Sequence, residues 1–327
     1  MNKLLTTSSI STLTQKNQSF DWEQLLFEFF EDYQSEHTRK NYYRDLKQFM
    51  NFMQEFFPGF STWSKLERLH SVAYKKWLTE TGATSKTINR KLSSLSSFCK
   101  FLMEKNILDS NPFNSIRRPQ QFVTTPTQDL TDEEVTILLH TVDQETGTSA
   151  PLHRAVIYLL FSTGLRKAEI IHAKRKDLKT VNDIHTLTVV AKGGKTLEKV
   201  IHPQCFEVLK NYLQWMKQID RDIHPEDWLF QPTRNPQDGN LIKPINPKSI
   251  DYILKTLAQK AGILKRLSPH SARATYIGSA IDQGVDLYRI AQDVGHQSVK
   301  TTEEYNKRKM KLKESPAYKL PYLKKSA

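Results

Sequence analysis

Residues 268–310 read SPHSARATYIGSAIDQGVDLYRIAQDVGHQSVKTTEEYNKRKM, and the reading of the whole chain is built outward from them. Ser268 followed by Pro269 is a helix-start signal, a capping hydroxyl and then a ring suited to the first turn. Gly295 has the position of a helix-ending glycine. The spacing predicts helices over Pro269–Gln283, Asp286–Val294 and Val299–Met310. His270 and Arg273 then share the first turn of one helix. His296 emerges where the chain changes direction, and Tyr305 sits among polar neighbours on the last helix.

Upstream, Pro151 opens a helix over Leu152–Thr163 that stops at Gly164, and Arg166 begins a short helix within STGLRKAEI. Free N–H groups and the dipole at a helix start favour an anion, and a guanidinium grips two phosphate oxygens where lysine cannot. Glu169, one turn on, is placed to orient Arg166; alone, the two could equally be a surface pair of little value. Alternating residues over Ile184–Ala191 and Thr196–His202 flank Lys192-Gly193-Gly194-Lys195 and predict a β-hairpin with Lys192 at its tip. Further helices are expected at Thr131-x-x-Glu134 (a capping box), Gln204–Ile219 and Pro247–Ala261, with a polar, flexible loop over Arg221–Asn246.

The first half is helical throughout. Trp22, Leu25, Leu26, Phe29, Phe30 and Tyr33 form one stripe, and Tyr42, Leu46, Phe49, Met50, Met53 and Phe57 form a second. A third helix is expected over Leu66–Thr79 with Leu69, Val72 and Trp77 inward, and a fourth over Thr87–Lys105. Together they make a four-helix bundle or a close relative. Arg39, Lys40 and Arg44 on one helix, and Lys86, Arg90 and Lys91 on another, lie among hydroxyl and amide residues, as phosphate contacts do. Arg117 and Arg118 open a linker with two prolines and no period; at that site they can track a phosphate backbone.

The division expected is an arm over residues 1–19, a helical domain over 20–117 whose basic faces suit phosphates, a linker over 118–128, a second domain over 129–310 that holds the candidate chemistry, and a tail over 311–327. The fold class is mainly α with a small β-hairpin or sheet in the second domain. A formal net charge of +13 points to a polyanionic partner, most simply nucleic acid. Cys99 and Cys205 read as reduced, buried residues, and no apolar run or signal pattern is seen, so a cytoplasmic location and no membrane contact are expected.

Breaking a phosphodiester with a protein nucleophile places extra negative charge on the non-bridging oxygens, and fixed positive groups there stabilise the transition state. Metal ions on carboxylates are one source of that charge and arginines are another. The acidic residues here are scattered, so no metal or cofactor is expected. Each candidate is weak alone. Their order and setting, with an arginine after Thr-Gly, a lysine in a hairpin turn, HxxR at a helix start, Gly-His, and a tyrosine nine residues on, resemble the tyrosine recombinase family of phage-type integrases and Xer-like recombinases. The resemblance covers nearly the whole chain. It implies a catalytic set of Arg166, Lys192, His270, Arg273, His296 and Tyr305, with Glu169 in support.

It further implies site-specific recombination of double-stranded DNA through a 3′-phosphotyrosyl intermediate and a Holliday junction. A homotetramer would span two sites, accessory proteins could take part, and residues 311–327 would dock on a neighbouring protomer. Many relatives follow the second arginine with histidine, serine or threonine; Ala274 stands here, which bears on fine positioning. Three other classes fit parts of the pattern: a sequence-specific DNA-binding protein without cleavage activity, a metal-dependent nuclease using His270 and His296, and a type IB topoisomerase.

Overall fold

The computed structural model describes residues 22–33, 35–120, 128–191, 193–296 and 298–303, with the side chains of Trp22 and Glu23 left aside. The chain divides into two compact units, Met1–Thr124 and Thr125–Ala327.

The first unit contains α1 (Trp22–Glu31), α2 (Glu36–Phe56), α3 (Arg68–Glu80) and α4 (Ser85–Glu104), with a 3-10 turn at Trp63–Lys65. Local chemistry sets the starts: Ser35 accepts from the Thr38 N–H, and Thr84 accepts from the Thr87 N–H. Aromatic rings knit the centre. Phe29 meets Phe98 edge to face at 4.9 Å, and Phe49 meets Tyr74 likewise at 5.0 Å. The expected inward stripe of α3 is corrected in part: Trp77 does pack against the core, its ring centre 5.4 Å from that of Phe52. Leu69 is 62% exposed, while Ser71, Tyr74 and Leu78 face the core, because the three- and four-residue spacing of that second set follows one helix face.

The second unit is organised around α6 (Ala150–Thr163), whose Ala155–Leu160 stretch is buried almost all round. A helix apolar on every side belongs in the middle. It is flanked by α5 (Asp132–Asp143), α8 (Pro203–Gln218), α9 (Pro247–Lys260) and α10 (Pro269–Asp282). The short helices α7 (Lys167–Ile171) and α11 (Leu287–Asp293) and a 3-10 turn at Arg175–Asp177 also belong to this unit.

The hairpin is part of a three-stranded antiparallel sheet, β1 (Leu178–Val181), β2 (Ile184–Val190) and β3 (Thr196–Val200), in that spatial order. Strand β1 was not foreseen. Its signal is Asn182-Asp183, which lies between the paired Val181 and Ile184 with both φ angles positive, at 48° and 62°. Two such residues close the tight turn whose twist suits a hairpin.

The expectation of a flexible loop over Arg221–Asn246 is also corrected. Ile223, Leu229, Phe230 and Ile245 are buried, the Ile245 N–H donates to the Phe230 carbonyl at 2.9 Å, and Arg221 donates to the carbonyls of Pro232 and Leu241. Apolar residues spaced among prolines anchor this segment to the core without forming a periodic element.

Candidate active site

Arg166 and Arg273 reach one place from different helices. Arg166 is the N-cap of α7; its backbone N–H donates to Glu169 Oε2 at 2.7 Å and its Nη1 to Glu169 Oε1 at 2.7 Å. Glu169 is buried, so one carboxylate holds both ends of the arginine. Arg166 Nη2 donates to the Gly295 carbonyl at 3.2 Å. Arg273, also buried, donates from Nη1 to the Gly164 carbonyl at 2.8 Å and from Nη2 to the Val294 carbonyl.

The two guanidinium groups thus rest on adjacent carbonyls at the C-terminal end of α11. Helix ends of that kind leave carbonyls without intrahelical partners and carry the negative pole of the dipole, so they gather cations.

Two glycines allow this approach. Gly164, at φ +61°, ends α6, and a Cβ there would lie 2.7 Å from the Tyr276 ring. Gly295, at φ +65°, ends α11; a Cβ would stand 3.3 Å from Leu197, 3.9 Å from Arg166 Nη1 and 4.0 Å from Ala191. The β2–β3 hairpin therefore comes up beside Arg166 and the Gly295 turn. Its own turn is closed by the Ala191 N–H on the Lys195 carbonyl at 2.7 Å.

His296, half-buried, follows Gly295, and its Nδ1 lies 2.9 Å from Oγ1 of the fully buried Thr302. Burial first, and then the charges of Arg273 and Arg166, hold its pKa down to about 4. The imidazole is therefore neutral near pH 7 and keeps one N–H to donate. His270 is exposed on the first turn of α10, where Ser268 caps by accepting from the Ser271 N–H. Lys192 and Tyr305 lie outside the described residues, and of the helix expected over Val299–Met310 only residues 299–303 are described, as helical.

Sequence reasoning missed a further cation. Lys199 on β3 is 1% exposed; it donates to the Asp293 carbonyl at 3.1 Å and pairs with Asp293 Oδ2. Its ammonium lies 4.8 Å from the centre of the Tyr276 ring, and the Tyr276 hydroxyl donates to the same Asp293 Oδ2 at 2.8 Å. Burial lowers the lysine pKa, and Asp293 offsets this. The available signal was strand alternation, since Leu197 and Lys199 fall on one side of β3 and Thr196, Glu198 and Val200 on the other.

In the first unit the charged clusters separate. Arg39 pairs with Glu31 and Lys40 with Glu36, both at 2.6 Å on the surface, and Arg44, Lys86 and Arg117 are exposed. Arg118 donates to the Asn89 carbonyl at 3.0 Å and to Ser93 Oγ at 2.7 Å. Arg90 and Lys91 narrow the sequence reading: both turn to Asp45, which is wholly buried and also accepts from Ser94 at 2.7 Å. Lys91, with its side chain 11% exposed, is held inside the bundle. Among the described residues no group of three or more His, Cys, Asp or Glu is placed to hold a metal ion.

Residues 128–311 match the Phage integrase family, and residues 24–106 match the Phage integrase, N-terminal SAM-like domain. The chain belongs to the phage integrase family. It is a tyrosine recombinase, a DNA-cleaving and rejoining enzyme of site-specific recombination.

This integrase-family chain is 27% identical over 275 residues to tyrosine recombinase XerC of Staphylococcus aureus strain MRSA252, covering 83% of this chain and 86% of that protein. Its fold is similar to that of XerH site-specific recombinase bound to palindromic difH substrate, with TM-score 0.68, 18% identity and coverage of 85% and 78% of the two chains. A lambda integrase dimer bound to a COC′ core site gives TM-score 0.61 at 15% identity, covering 93% of this chain and 81% of that one. Among the described residues no helix is long and apolar enough to cross a membrane.

Proposed function

We propose that this recombinase cuts each DNA strand with Tyr305 as the nucleophile. The phenolic oxygen forms a bond to the scissile phosphorus as the bond to the 5′-oxygen breaks, leaving a 3′-phosphotyrosyl ester. Lys192 gives the departing 5′-oxygen its proton. Arg166 and Arg273 carry the negative charge that builds on the non-bridging oxygens, His270 and His296 donate to the same phosphate or manage the tyrosine proton, and Glu169 orients Arg166. The 5′-hydroxyl of a partner strand then attacks the ester and releases the tyrosine. Because the ester conserves bond energy, rejoining needs no nucleotide triphosphate.

The observation that supports this most is the meeting of two guanidinium groups on the consecutive carbonyls of Val294 and Gly295, with neutral His296 next in the chain. That arrangement suits a phosphate with growing negative charge.

Residues 20–117 would bind one side of the duplex, residues 129–310 would carry the chemistry, and residues 118–128 would connect them. Arg39, Lys40, Arg44, Lys86, Arg117 and Arg118 are the phosphate contacts proposed, with Arg90 and Lys91 shaping the same face through Asp45. Four protomers on two sites exchange strands through a Holliday junction, with residues 311–327 docking on a neighbour. The products are resolved dimers or integrated and excised elements.

The test is a nicked duplex carrying the recombination site, selected from host or element DNA, incubated in EDTA with wild type and with Tyr305→Phe. A covalent protein–DNA band for wild type alone is expected. Cleavage by Tyr305→Phe, or tight binding by wild type with no adduct, overturns the proposal.

A further inference from the structure

The carbonyls of Asp293, Val294 and Gly295 are consecutive, and each accepts from a different cation: Lys199 at 3.1 Å, Arg273, and Arg166 at 3.2 Å. The first member of this series has no part in the chemistry described above. Lys199 comes from β3, Asp293 ends α11 and Tyr276 lies on α10, so three elements meet in one buried cluster. An ammonium with 1% exposure is costly to bury unless it is paired and hydrogen-bonded. Here it is both. Both of its hydrogen bonds fall on Asp293, the residue just before the two carbonyls that seat the arginines, and its third contact is the face of the Tyr276 ring.

We propose that Lys199, with Asp293 and Tyr276, is a positioning group that pins the end of α11 to β3 and so aims the guanidinium groups of Arg166 and Arg273. Without the ammonium, the Asp293 carbonyl loses its side-chain donor and the carboxylate keeps only the Tyr276 hydroxyl, so the tie to β3 is gone. The Val294–Gly295 turn is then free to shift, and both arginines shift with their acceptors. A misplacement on the scale of an ångström at a reacting centre costs about a hundredfold in rate. The proposal rests on the reading that the two arginines carry transition-state charge.

The test compares two substrates on the full chain. One carries the natural scissile phosphodiester. The other carries a methylphosphonate there, in which a methyl group replaces one charged oxygen, so that less negative charge needs to be met by aligned guanidinium groups. Lys199→Met should bind DNA as wild type does yet form the covalent adduct about a hundredfold more slowly on the phosphodiester. On the methylphosphonate the defect should shrink to a few-fold, in step with that of Arg273→Ala.

If the Arg273→Ala defect shrinks and that of Lys199→Met stays the same on both substrates, Lys199 merely supports the fold and the inference fails while the arginine reading stands. If the Arg273→Ala defect does not shrink, the arginine reading fails and the inference with it. Asp293→Asn keeps the side-chain shape and a partly exposed position, so it carries the same comparison should Lys199→Met not fold.

Discussion

Glu169 holds Arg166 at two points, accepting from its backbone N–H with one carboxylate oxygen and from its guanidinium with the other, each at 2.7 Å. The same carboxylate therefore caps α7 and aims the side chain that leads it. Only a group with two acceptor oxygens serves both at once.

Glu169→Gln should thus affect rate more than binding. The amide keeps the size but offers only one oxygen, so either the cap or the guanidinium bond is lost. Adduct formation on nicked DNA should fall by about tenfold to a hundredfold with little change in the DNA dissociation constant. A parallel loss of binding would place Glu169 in the fold alone.

His296 gives a pH signature. Its folded pKa of about 4 lies below the ordinary 6.5, so the unfolded chain binds this proton more readily. Its contribution to stability is whole above pH 6.5 and is lost as pH falls from 6.5 towards 4. His296→Gln should flatten the dependence of melting temperature on pH across that interval. An imidazole NMR titration of the wild type should give no His296 midpoint near 6.5; a midpoint there would refute the neutral assignment.

Asp45 is the corresponding charge knot in the bundle, wholly buried and bound by Arg90, Lys91 and Ser94. Asp45→Ala leaves Lys91 inside without its anion, a change that costs about 3–5 kcal/mol in comparable pairs. The transition of the first unit in chemical denaturation should move to much lower denaturant, while Arg90→Ala, removing the more exposed partner, moves it less.

Gly164→Ala tests the close approach behind the arginines. The new methyl would lie 2.7 Å from the Tyr276 ring, at a φ of +61° that disfavours any Cβ. Strain and overpacking together should destabilise the chain by about 2–4 kcal/mol. Since the Gly164 carbonyl accepts from Arg273, adduct formation should slow even at temperatures where the variant remains folded.

Much of this was legible in the residues because the signals are local. Ser268-Pro269, the Thr131–Glu134 capping box, Gly164 and Gly295 act within a turn of the helix they begin or end, and each stands where it was read. Strand β1 was missed because its cue is two residues long. Leu69 and the Arg221–Asn246 segment were misread because exposure is settled by what packs against a side chain, and single-sequence spacing is silent on that.

By itself, then, the sequence determined the helices, their caps, the polar chemistry at each turn and the family. Only the tertiary structure decided which charges share a place. Arg166 meets a carbonyl 129 residues away, Lys199 one that is 94 residues away, and Arg90 a carboxylate at a distance of 45. Caps and periodicity are free energies of neighbouring residues, written in the order of the chain. The partner of a buried charge is chosen by the packing of whole elements, where desolvation leaves it no option but the acceptor that the fold brings to it.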